Sequence, residues 1–423
     1  MHRIVTLAVL LFVTSLASAQ TTHFVDTAGG AGIHTDIQSA INAAGHGDTI
    51  DVAPGTYPSF TCSKGVTIIG SGAPRVDPNS ILQNLPGGRQ IVLADLQTSS
   101  VQVLNCDGVV VMNNVVFDNL GANSNPTDQH VTVDDCSDVR MHGCTVDGLN
   151  FSFSSSRAGI KAENSRLEIA QCYIEGDVGA SSDCGNGGYG SAALWTTGTS
   201  RTHVANSSFK GGNGGGQEAT CSSFCGGLAG NGGAGIAHFG GDLIVAGILA
   251  GSIQGGDGGC GAAISCDGDG GPGIAQFAGH ADINPALPLG GEGTCNSSDG
   301  QPHVISGGTF TNPNPDWATL EVTGSQTGGG NLVFTANGPP NANLRLWLGR
   351  FAVVQPSAGI PIERLCQWLR GAAPGNLPAS GQLSVNQPLP HWLPRGFTFY
   401  AQAELVTNTG QVLRTNSLSI VMR

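Results

Sequence analysis

A six-residue signature recurs along the middle of this chain, and its drifting spacing excludes most folds. It reads NVVFDN (114–119), GCTVDG (143–148), QCYIEG (171–176), NSSFKG (206–211), GSIQGG (251–256) and GGTFTN (307–312). Anchored on Phe117, Val146, Ile174, Phe209, Ile253 and Phe310, the intervals are 29, 28, 35, 44 and 57 residues. A constant strand motif at variable spacing marks a solenoid whose repeats carry insertions on one side. Period-two alternation puts Val115 and Phe117 inside and Asp118, Asp147 and Glu175 outside. The last interval conceals a degenerate coil around His280 to Gly291. Leucine periodicity is absent and Lys, Glu and Leu are scarce, which sets aside leucine-rich and helical repeats. The expected fold is all-β: a parallel β-helix whose coils stack about 4.8 Å apart.

A solenoid must close its first coil, which otherwise exposes apolar interior and unpaired strand edge. Gly32 to Tyr57, GIHTDIQSAINAAGHGDTIDVAPGTY, has the composition for this. Thr35 or Asp36 serves as N-cap, and Ile37, Ala40, Ile41 and Ala44 share one helical face. Gly45 and Gly47 end that helix, and Thr49 to Val52 starts the first strand before the turn at Pro54-Gly55-Thr56. The phrase FVDTAGGAGIHTDIQSAINAAGHGDTIDVAPGTY also resembles the opening of right-handed parallel β-helix proteins of the pectin-lyase-like superfamily. That resemblance implies a right-handed coil with an N-terminal helical cap.

The first residues, MHRIVTLAVLLFVTSLASAQ, combine Arg3, an apolar run from Ile4 to Val13 and the small residues Ala17-Ser18-Ala19. This pattern predicts a signal peptide over 1–19 and a secreted or cell-surface protein. The apolar run is too short to span a bilayer, so no membrane span is expected after signal removal. A net charge of −13 sets nucleic acid aside as a partner.

The insertions leave from one corner, just after the signature, as SSDCGNGGYGS (181–191), GGNGGGQEATCSSFCGGLAGNGGAG (211–235), GGDGGCGAAISCDGDGGPG (255–273) and GGEGTCNSSDGQ (290–301). Loops this long need something to hold them. Cys184, Cys221, Cys225, Cys260, Cys266 and Cys295 lie in them, and stacked loops bring such thiols together, so disulfide staples are expected. Cys106 with Cys136, and Cys144 with Cys172, instead occupy equivalent inward positions on adjacent coils, where cysteine fills a narrow core or forms an occasional disulfide. Near Asp316 the texture changes to longer alternating segments such as ATLEVTG, NLVFTANG, LRLWLGR and FTFYAQAEL. The division is therefore 20–315 for the β-helix and 316–423 for an antiparallel β-sandwich that also closes the open end of the coil.

Chemistry-bearing residues concentrate at Asp128, His130, Asp134, Asp135, Arg140, His142, Arg157, Lys161 and Glu163. Polygalacturonases of the resembled superfamily carry NTD, DD, HG and RIK elements, beside which stand Asn125-Pro126-Thr127-Asp128, Asp134-Asp135, His142-Gly143 and Gly159-Ile160-Lys161. Glycosidase carboxylates must come from neighbouring coils to flank one bond, and Asp128 and Asp134 are only six residues apart. A pectate-type lyase needs acidic Ca²⁺ ligands and an Arg or Lys as base. Aligning Val131 with Ile160 stacks Thr132 on Lys161 and Asp134 on Glu163, all outward; the same register, shortened by one residue in the turn, sets Arg140 beside Glu168. Asp134, Lys161 and Glu163 are thus the catalytic candidates. Exposed ion pairs between coils are the ordinary alternative.

Asp257, Asp267 and Asp269 resemble fragments of glycine–aspartate calcium repeats and are the candidate metal ligands, with Ca²⁺ the one cofactor implied. Tyr189 and Trp195 flank an insertion and are candidate stacking platforms for a sugar. Nucleophile elbows, phosphate loops and HExxH motifs are missing. The reading is an exported, non-catalytic protein that binds glycans, as polysaccharide or on a cell-surface partner, through its lateral face and loops. The alternatives are a polysaccharide lyase or glycoside hydrolase of the pectin-lyase-like type, and a purely structural surface element.

Overall fold

The computed structural model describes residues 20–423 except 78, 119–129, 149–157, 182–185, 217–227, 248–251, 261–267, 284–287, 295–296, 312–317, 351, 356–363 and 367–369, with no side-chain description over 351–374. The expected signal peptide lies outside the described residues, as do Asp128, Arg157, Asp267 and five of the six loop cysteines. Three parallel sheets of twelve, eight and nine strands wind as a right-handed β-helix. The first sheet includes Thr67–Gly70, Gln90–Ala94, Val109–Asn113, Asp138–His142 and Arg166–Ala170. The second runs through Val116–Phe117, Thr145–Val146, Tyr173–Glu175, Ser208–Lys210 and Ile253–Gln254. The third runs through Val101–Leu104, Val131–Asp134, Ile160–Glu163, Leu194–Thr197, Ile236–His238, Ile274–Gln276 and His303–Ile305.

The first five signature positions fall in the second sheet. The sixth does not: Phe310 pairs with Ala281 in the first sheet. The degenerate coil is present, with His280–Ile283 in the first sheet and Leu289 bridged to Gln254 of the second. Asp36 caps the helix Ile37–Ala43 by accepting from the Ser39 amide, and Ile37, Ala40 and Ile41 are buried against the first coil. The core is one continuous stack of Val, Ile, Leu and Phe, in which Cys62, Cys106, Cys136, Cys144 and Cys172 are buried free thiols.

The insertions after the second sheet form a lattice. Segment 211–216 alternates two buried residues with one half-buried residue, and 176–181 and 255–260 share this three-residue period. That is the period of an extended left-handed helix without internal hydrogen bonds, whose backbone groups must find partners elsewhere. They find them across the lattice. Gly214 donates to the Asp257 carbonyl on the next coil (2.7 Å), and Gly212 to Ser191, Gly233 to Gly212, Gly256 to Gly233 and Gly271 to Gly256 (2.7–2.8 Å) zigzag between two layers. A Cβ on Gly256 would stand 2.0 Å from the Gly212 carbonyl oxygen. Only glycine lets the backbones approach so closely. Amide hydrogen bonds thus tie these segments together; of the six disulfide candidates Cys260 is an exposed free thiol, and the other five lie outside the described residues.

The C-terminal sandwich has a three-stranded sheet (Thr319–Gly324, Asn331–Asn337, Gln382–Pro388) and a four-stranded sheet (Asn343–Gly349, Arg370–Asn376, Thr398–Val406, Val412–Val421) sharing one core. Its described residues pack on the side of the coil rather than across its open end. Strand Val412–Val421 lies against the outer face of the first sheet, where Ile69, Val92 and Val111 pack on Tyr400 and Val421. The cause is the apolar outer surface of that sheet, which requires a cover along its length. Among the described residues no helix is long and apolar enough to cross a membrane.

Candidate functional site

Register places the candidate residues where stacking of coils predicts. Thr132 pairs with Lys161 and Asp134 with Glu163, and Lys161 pairs in turn with Trp195. All stand on the outward face of the third sheet. Lys161 Nζ lies 2.9 Å from Glu163 Oε2, each side chain a little over one-third exposed. Burial, then Asp135 and Glu163, push the Asp134 carboxyl above its usual range.

Further along the same face the charged pair gives way to an aromatic ladder. Trp195 stacks on Phe239 at 4.5 Å and 18°, and Phe239 on Phe277 at 4.3 Å and 6°. Trp195 is 38% and Phe277 43% exposed. The sequence reading identified Trp195 but missed both phenylalanines. Their signal is the repeated GIAHFGG (235–241) and GIAQFAG (273–279), in which the same strand ends on phenylalanine one coil later. Tyr189 is 68% exposed and sits in the glycine lattice, in line with Asn231, since Gly190 donates to the Asn231 carbonyl. Trp195 therefore stacks on Phe239 at the edge of its own sheet, whereas Tyr189 lies in the glycine lattice.

The aspartates of the glycine segments act on their neighbours' backbone. Asn213 Oδ1 accepts from the Asp257 amide (3.0 Å), and Asp257 Oδ1 from the Glu292 amide (2.9 Å). In a second column Asn231 accepts from the Asp269 amide and Asp269 from the Ser298 amide. Asp257 and Asp269 thus occupy separate ladders. Among the described residues no group of three His, Cys, Asp or Glu side chains could hold a metal ion.

The acidic column of the second sheet is bracketed by cations. Arg75 pairs with Asp77 and, at 2.8 Å, with Asp118, and Lys210 lies 3.1 Å from Glu175. Asp147 between them is pushed up by burial and by Glu175 and Asp118.

Arg140 and Glu168 are neighbours in register, as expected, and both are buried. The sandwich covers them. Arg140 binds Asp138 at 2.6–3.2 Å and Ser417 Oγ at 3.0 Å, and its guanidinium lies 5.0 Å from the Tyr400 ring centre. Glu168 accepts from the Ser417 amide (2.6 Å) and hydroxyl (2.7 Å). Burial would raise the Glu168 carboxyl, but His203, with Nδ1 at 3.7 Å, together with Arg140 and Ser417 hold it down at about 2. His142 joins the same seam through Gln171 and the Ser419 carbonyl. These residues dock one domain on the other, which removes Arg140 from any exposed site.

No protein-family model matches the chain, and no curated protein does. Among solved structures it is similar to pectate lyase Pel9A, at 13% identity and a TM-score of 0.32, over 70% of this chain and 80% of that one. It is also similar to tailspike protein 2 of Escherichia coli O157:H7 bacteriophage CAB120, at 12% identity and a TM-score of 0.23, over 94% of this chain and 64% of that one.

Proposed function

We propose that this is an exported, non-catalytic protein that binds an extended glycan, free or on a cell surface, along the outward face of the third sheet. The observation that carries the reading is the exposed ladder Trp195–Phe239–Phe277, continuous with Lys161 and Glu163 on the preceding coil. Four coil steps from Asp134 to Phe277 span about 19 Å at about 4.8 Å per step, a straight strip suited to a polymer. Stacked rings turn their edges outward, and aromatic edges are the positive part of the ring quadrupole, which favours oxygen-rich partners over apolar ones.

The test is binding of full-length mature protein to a panel of neutral and acidic polysaccharides, with Trp195→Ala and Phe277→Ala alongside. Binding that falls about tenfold in each variant is expected, the loss of roughly one aromatic contact. Equal binding by all three proteins, or none by the wild type, would refute the reading.

A second reading, cleavage of the bound polymer, draws on Asp134, whose raised carboxyl is suited to proton transfer beside Lys161 and Glu163. Appearance of unsaturated ends or reducing ends, lost in Lys161→Ala, would establish it over simple binding.

A further inference from the structure

We propose that the outward face of the first sheet, beyond the sandwich, carries a hydrolytic site for small acyl esters, with Thr309 as nucleophile and His280 as base. Strand His280–Ile283 pairs in register with the terminal strand Thr309–Thr311, which sets His280 beside Thr309 and Asp282 beside Thr311. Period-two alternation turns Ala281 and Phe310 toward the core and leaves these four side chains outward. The sandwich strand Val412–Val421 packs on the first sheet from Val109–Asn113 to Arg201–Ala205. Beyond it the His280 side chain is 41% and that of Asp282 21% exposed, within reach of a solute.

The four groups connect as a nucleophile, a base and a carboxylate that orients it. Thr309 Oγ1 lies 2.7 Å from His280 Nδ1, and His280 Nε2 lies 3.0 Å from Asp282 Oδ1. A carboxylate only accepts, so the neutral ring carries its proton on Nε2, and Nδ1 accepts from the Thr309 hydroxyl. Thr311 donates to the same Asp282 oxygen and holds it in place. Asp242, the carboxylate one coil back from His280, is engaged by Arg201 at 3.3 Å. The Thr309 amide donates to the Gly279 carbonyl, so alternation turns the Phe310 amide toward the free edge of the sheet. That amide directly follows the nucleophile and is a donor for a developing oxyanion. Thr309 Oγ1 attacks the ester carbonyl carbon while its proton passes to His280 Nδ1. The bond from that carbon to the alcohol oxygen breaks, and the proton leaves with the alcohol. Water then attacks the acyl-threonine by the same route, which releases the acid and restores the hydroxyl. Ile244, in register with Asp282, offers a small apolar contact among polar neighbours, which suits a short acyl group such as acetyl. The site limits the non-catalytic reading to the third sheet, whose glycan binding does not depend on it.

The test is incubation of the full-length mature protein with p-nitrophenyl acetate. Nitrophenolate release is read by absorbance and, after an acid quench, acetyl-bearing peptides by mass spectrometry. Release above the protein-free rate is expected, with acetyl on the peptide that holds Thr309. Thr309→Ala and His280→Ala should each lower the rate about a hundredfold, as removal of a positioned nucleophile or base does. Thr309→Ser, which keeps the hydroxyl, should retain the activity. Thr409→Ala removes an exposed hydroxyl from a turn of the sandwich and should leave the rate unchanged. Both His280 and Thr309 are exposed, so these variants keep the core intact. No release above the protein-free rate, acetyl confined to lysines, or a rate indifferent to Thr309→Ala would overturn the proposal.

Discussion

Replacing Gly256 by alanine should open the glycine lattice, and the structure gives the size of the effect. The new Cβ would stand 2.0 Å from the Gly212 carbonyl oxygen and 2.4 Å from its carbon, against a floor near 3.0 Å for real contacts. Segment 255–259 must therefore retreat by about an ångström. That retreat breaks the bonds from the Gly256 amide to Gly233 (2.8 Å) and from the Gly271 amide to Gly256 (2.7 Å). Two backbone hydrogen bonds at about 1 kcal/mol each, and overpacking of about 1–3 kcal/mol, sum to about 3–5 kcal/mol. The cost is local, because the lattice can open while the β-helix core stays closed. Hydrogen exchange read by mass spectrometry should show peptides across 211–216, 230–235 and 268–273 exchanging about two to four orders of magnitude faster, with strand 109–113 unaffected. Asn213→Ala is the control. It stands at the half-buried third position and loses one acceptor, that of the Asp257 amide, for about 1 kcal/mol. Wild-type protection in Gly256→Ala would refute the steric account of these glycines.

The interdomain seam should be sensitive to acid. Glu168 falls from the ordinary carboxylate value of 4.5 to about 2 on folding, so its stabilisation is complete above about pH 4.5 and is lost as pH falls toward 2. The shift corresponds to about 3 kcal/mol, and the difference in unfolding free energy between wild type and Glu168→Gln should narrow by that order across this range. A difference that does not change with pH would sink the assignment. Asp257→Asn should retain wild-type thermal stability with or without EDTA, since the amide oxygen can still accept from Glu292, whereas Asp257→Ala should lose about 1 kcal/mol. Calcium-dependent stability that vanishes in Asp257→Asn would instead make this aspartate a metal ligand.

Much of the fold was legible because a strand's two faces and a helix's cap are written in residues two to four apart. Val131 and Ile160 set a register that the coil obeys to the residue, and Asp36 with Ile37, Ala40 and Ile41 marks the cap. The second period, three, was equally present in GGNGG (211–215) and GGDGG (255–259), but it suggests a loop unless one asks where its amides go. Trp195 was legible as an aromatic beside a strand. That its face is taken up by Phe239 depends on which coil follows, 44 residues further along.

The runs TIIG, QIVLA and VVVMN already stated that the first sheet is apolar on both faces, whereas VQVL and VTVD of the third sheet alternate. Sequence thus determined that one outer face needs a cover, and which face stays open. It did not determine what the cover is, nor that Arg140 and Glu168 lie beneath it. Those outcomes rest on contacts such as that of Glu168 with Ser417, separated by 249 residues, and of Arg140 with Ser417, separated by 277. Local periodicity fixes the direction in which a side chain points. Only the closed tertiary structure decides whether it meets water or another domain there, because burial is a property of all the surfaces that reach that point in space.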